Sequence, residues 1–121
     1  MISRTANANA TAIAIRNGTT RLQKVQAYIR AASSARLYIQ LFNSNSPTIG
    51  TTTPDLILMI PPGRVGKQKK VSFIFASEEG GCYLSSGLSA AVTTTPTGST
   101  NPESADRPEL VIKYDNAGTT Q

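Results

Sequence analysis

A chain of 121 residues and 12.8 kDa supports one domain with one ordinary core. Apolar residues at 39% against 16% charged exclude a disordered chain, and a single cysteine, Cys82, excludes a fold framed by intrachain disulfides. Twelve Lys and Arg over seven Asp and Glu give a net charge of +5, which suits an acidic partner or simply a soluble surface.

Thr and Ser together number 27, and these residue types favour strands and turns over helices. Residues 1–11 are small and polar without periodicity, so an N-terminal arm is expected there, ordered only where something holds it. In "AIAIRNGTTRLQKV", Asn17-Gly18 separates two strand-like runs. Asn-Gly supplies the two positive-φ positions of a type I′ turn, which predicts a hairpin. The Asn17–Thr19 sequon is read as coincidental, because no secretion signal precedes it.

"KVQAYIRAASSARLYIQLF" fits either period in its first half. Leu37, Ile39 and Leu41 then alternate cleanly against Arg36, Tyr38 and Gln40, which favours two antiparallel strands joined at "RAASSA". Val25, Ala27 and Ile29 form the inward face of the first strand, with Lys24, Gln26, Tyr28 and Arg30 opposite. "LILMIPPG" is continuously apolar, as in a strand buried on both faces, and Pro61 and Pro62 end it. Pro62-Gly63 fits a type II turn.

"KKVSFIF" resumes alternation with Val71, Phe73 and Phe75 inward, and "ASEEGG" is a turn. "CYLSSGLSAAVTTT" supplies one or two short strands, with Cys82 expected to be buried. "PTGSTNPESADRP" is expected to be an exposed loop, and "ELVIKY" closes with Leu110, Ile112 and Tyr114 on one face. The sum is an all-β chain of about eight strands: an antiparallel β-sandwich or jelly roll at 12–115, an extended N-terminal arm at 1–11 and a flexible tail at 116–121.

Chemistry is sparse. Without His, neither a Ser–His nor a Cys–His arrangement can form, and no calcium-loop spacing occurs. Glu103, Asp106 and Glu109 read as a solvated acidic loop rather than a metal site. "PGRVGKQKK" fails as a phosphate loop, because two residues rather than four separate Gly63 and Gly66 and Gln68 stands where a hydroxyl is required. It leaves Arg64, Lys67, Lys69 and Lys70 as a basic cluster without the interleaved aromatics of a nucleic-acid site. No apolar run approaches the ~20 residues of a membrane span. The expectation is therefore a non-enzymatic contact protein without cofactor, metal, small-molecule substrate or membrane partner.

Three segments, "KVQAYIRAASSARLYIQLFNSNSPTIGTTTPDLILMIPPG", "VSFIFASEEGGCYLSSGLSAAVTTT" and "ELVIKY", resemble a group of small bacteriophage virion proteins. The shared pattern is a strand, a Ser/Ala turn, a strand ending in an "LFN"-like triplet, a "PTxGTxTPxLxxxIP" segment and a "GLSxAVTT"-like run. The resemblance implies a β-sandwich or jelly-roll virion subunit, made in the host cytoplasm and carried on the capsid exterior. Its implied partners are the major capsid protein and its own copies, as a homotrimer. Capsid decoration is the first reading. A tail, neck or fibre component is the second, and a basic nucleic-acid-binding module the third. Expected contact residues are Ile2 and Arg4 in the arm, with Arg64, Lys67, Lys69 and Lys70 in the basic cluster.

Overall fold

The computed structural model describes residues 2–29, 36–61, 69–75, 82–103 and 106–115. Over these it has nine strands and no α-helix. They are β1 (Ile2–Thr5), β2 (Ile13–Asn17), β3 (Thr20–Ile29), β4 (Leu37–Phe42), β5 (Leu56–Ile60), β6 (Lys69–Ile74), β7 (Cys82–Leu84), β8 (Gly87–Thr93) and β9 (Glu109–Asp115). Sheet A has the order β1-β9-β3-β6, with β7 continuing the β6 edge along β3; sheet B has the order β2-β8-β4-β5. All the pairings are antiparallel.

The pairs nest. β4 pairs β5, β3 pairs β6, β2 pairs β8 and β1 pairs β9, so the chain is one long hairpin bent at 43–55 and rolled into two sheets. This is the winding of a jelly roll, and the all-β sandwich expected from the sequence is present. Rolling sends β2, β3 and β4 in turn to sheets B, A and B, which corrects two local expectations. β2 and β3, on either side of Asn17-Gly18, do not pair, and neither do β3 and β4. Gly18 alone of that dipeptide has positive φ, at 104°, so the Asn-Gly pair is a corner between sheets and not a type I′ hairpin turn. The expected turns at 30–35, 62–63 and 76–81, and the expected tail at 116–121, lie outside the described residues.

The inner faces follow the period-2 pattern. Leu22, Val25, Ala27, Ile29, Leu110 and Ile112 from sheet A meet Leu37, Ile39, Leu41, Ile60, Leu88, Ala90 and Val92 from sheet B in one buried cluster. Val71, Phe73, Phe75, Cys82 and Tyr114 pack at its margin. Cys82 is thus half-buried, short of the full burial expected.

Two further expectations change. β5, the apolar run read as doubly buried, is an edge strand whose Ile57 and Met59 are 41% and 48% exposed. The strand buried on both faces is β8, "GLSAAVT", with small side chains that let chain pack closely over it. Residues 2–11 do not stand away as an arm. Ile2–Thr5 are β1, Ala8 N donates to Pro108 O at 2.8 Å, Val92 N donates to Asn9 O at 2.8 Å, and Ala8 is in the core. The reason is the nesting, which lays the N-terminal segment along the outer edge of β9, where it completes that strand's hydrogen bonds. The 96–103 loop is largely exposed, as expected, although Pro102 within it, and Asp106 and Pro108 nearer β9, are buried.

Candidate contact surface on the outer face of sheet A

The two outer faces differ. Sheet B's is covered by its own loops over β4 and β8, while Ile57 and Met59 of β5, opposite Gln40 and Tyr38, stay exposed on it. Gln40 points outward from β4 yet is fully buried, its Nε2 donating to Thr93 Oγ1 at 2.9 Å and Gly98 O at 3.0 Å. Ser89 Oγ donates to Ser44 O at 2.6 Å, and Thr93 Oγ1 to Thr95 O at 2.6 Å. Phe42 on the same face is fully buried but stands outside the core cluster, under the roof. Asn43 fastens one roof segment: its backbone N–H donates to Asp55 Oδ2 at 2.7 Å, and its Oδ1 accepts from Ser86 N at 2.7 Å. The Ser/Thr/Asn-rich connectors therefore supply local acceptors and donors to small polar groups on β4 and β8, where a charged connector would strand its charges.

Sheet A's outer face carries no such roof among the described residues. Register sorts it into four transverse rows. Asp115, Arg21 and Tyr83 make the first; Ile2, Lys113, Lys24 and Ile74 the second. Arg4, Val111, Gln26 and Ser72 make the third; Glu109, Tyr28 and Lys70 the fourth. Ile2, Ile74 and Tyr83 are 64%, 70% and 56% exposed. Five cations stand on this face against the two carboxylates Asp115 and Glu109.

Within the third and fourth rows two polar pairs are already formed. Arg4 Nη1 lies 3.2 Å from Glu109 Oε2, and Gln26 Nε2 donates to Ser72 Oγ at 3.3 Å. The second row is different. Lys24 and Lys113 are directly opposed across β3 and β9, and among the described residues neither joins an ion pair. Like charges opposed across an antiparallel pair destabilise it. A β-bulge at Gln23, between Leu22 and Lys24, locally resets the pairing of β3 with β9. Gln23, Lys24, Ile74 and Lys113 line a hollow of about 280 Å³ there.

The expected contact residues divide. Ile2 and Arg4 are on this face, the latter bound to Glu109. Lys70 is exposed opposite Tyr28, and Lys69 is in β6 opposite Ile29. Arg64 and Lys67 lie outside the described residues. The cations that the fold brings together are instead Lys24 and Lys113, 89 positions apart in the chain and adjacent only through the β3–β9 pairing. Lys24 was legible as a surface position from alternation; its neighbour was not. Among the described residues no group of three or more His, Cys, Asp or Glu is gathered.

No known protein family, curated protein or solved structure matches this chain.

Proposed function

We propose that the protein is a structural component of a bacteriophage virion, a capsid decoration protein that cements the shell by protein–protein contact. One observation carries the contact reading: loops cover β4 and β8 on the outside of sheet B, whereas among the described residues the outer face of sheet A is uncovered and bears exposed Ile2, Ile74 and Tyr83 among cations. An open sheet face bearing apolar and charged groups is suited to lie on another protein. The resemblance of the strand and turn segments to small virion proteins supports the particle, the capsid exterior and the homotrimer. The major capsid protein is the partner, and the role needs neither catalytic group nor cofactor.

Area sets the mechanism. Four strands about 4.8 Å apart and seven residues at about 3.4 Å each span roughly 19 Å by 24 Å. That footprint is about half of the ~800 Å² each partner contributes to a standard interface. One such contact is weak. Three linked copies on a repeating lattice raise occupancy through effective concentration, without new contacts.

Quantitative mass spectrometry and immunogold labelling of purified particles test this reading. The expected result is a copy number comparable with that of the major shell protein, with label over the capsid. A few copies at the tail or neck, or absence from particles, would overturn it.

A further inference from the structure

We propose that the Lys24–Lys113 hollow is a socket for a carboxylate, so that the surface docking on sheet A is acidic protein presenting an Asp or Glu between apolar groups. This rests on the outer face of sheet A being the contact face. The second row reads isoleucine, lysine, lysine, isoleucine across β1, β9, β3 and β6. Its two central ammonium groups repel each other in the free chain. One incoming carboxylate turns that repulsion into two attractions, which makes the row complementary to a negative charge. Gln23, at the bulge, lines the same hollow.

The flanks select the class of partner. Ile2 and Ile74, at 64% and 70% exposed, offer apolar contact on both sides of the socket, and a sugar-phosphate chain has nothing comparable to place on them. Along β9, Asp115 and Glu109 stand on the same face on either side of Lys113. A continuous phosphate backbone crossing the socket along β9 meets those carboxylates. A protein surface of mixed charge avoids them.

The test titrates the ¹⁵N-labelled full chain with pentaglutamate, and separately with a twelve-residue oligothymidylate, at low and physiological salt. With pentaglutamate, shifts are expected to centre on Gln23, Lys24, Ile74 and Lys113 and to shrink with added salt. Lys24→Gln and Lys113→Gln should each weaken binding by about two- to fivefold, and Lys70→Gln, on the same face outside the hollow, should leave it unchanged. Both glutamines relieve a like-charge pair, so the variants should melt no lower than the parent, which keeps a folding defect from imitating the result. Shifts spread evenly over the face, or equal weakening by Lys70→Gln, would overturn the socket. Tighter binding of the oligothymidylate than of pentaglutamate at physiological salt would replace the acidic protein with nucleic acid. The readout needs no particle, so a failed socket and a failed virion location are separately visible.

Discussion

Replacing Gly87 by Ala gives the sharpest test of how the two sheets are joined. Gly87 is the first residue of β8, where the chain passes from β7 in sheet A into sheet B. Its φ is 155°, and a Cβ there would lie 2.8 Å from Arg16 O, 3.1 Å from Asn45 N and 3.3 Å from Ser44 C. All three are backbone atoms of β2 and the β4–β5 connection, so none can swing aside as a side chain can. The sparsely populated backbone conformation costs about 1–2 kcal/mol, and forced overpacking costs about 1–3 kcal/mol more. A total near 3 kcal/mol, divided by an unfolding entropy of roughly 0.25 kcal/mol/K for a chain of this length, lowers Tm by about 12 °C. Gly18→Ala is the internal control. Gly18 also has positive φ, at 104°, but a Cβ added there would meet nothing within 4 Å. Only the backbone term applies there, about 1 kcal/mol or 4 °C. Calorimetry and urea unfolding of both variants measure the difference. A Gly87→Ala drop no larger than that of Gly18→Ala would refute the close approach of β2, β8 and the 44–45 backbone.

Two further outcomes follow from the roof and the bare edge of sheet B. Gln40→Leu removes the amide that holds Thr93 and Gly98, and also removes Oε1, which is buried without a partner. The expected net loss is about 1 kcal/mol in urea unfolding, with faster proteolysis at 94–102; Gln40→Glu should lose more, because an acceptor would then face Gly98 O. Met59→Lys places a charge on the uncharged edge strand β5, whose exposed Ile57 and Met59 invite edge-to-edge association. Light scattering of concentrated protein should fall while stability changes by less than about 0.5 kcal/mol; undiminished scattering would show that this edge does not drive association.

Alternation made much of the core legible. Val25, Ala27, Ile29, Leu37, Ile39, Leu41, Leu110 and Ile112 point inward as their period-2 spacing requires, because a one-residue slip would turn the whole face to solvent. Hydrophobicity alone misplaced the doubly buried strand. β5 is richer in apolar residues than β8, yet burial on both faces depends on neighbours: β8 has two strands beside it and loops above it, and β5 lies at an edge. Turn chemistry likewise located corners without naming what they join. Asn17-Gly18 bends the chain, and only the partner of each flanking strand distinguishes a hairpin from a crossing.

The residues by themselves determined the class of the protein: strands from β-branched alternation, polar Ser/Thr/Asn connectors, and no histidine with which to build the common nucleophilic sites. Tertiary structure decided which outer face stays open and which cations meet on it. Pairing of β9 with β3 sets Lys113 beside Lys24, and folding of 43–55 and 94–102 covers β4 and β8 of sheet B, with no counterpart over sheet A among the described residues. Those outcomes rest on register and packing between segments tens of residues apart, and local sequence carries no record of such distances.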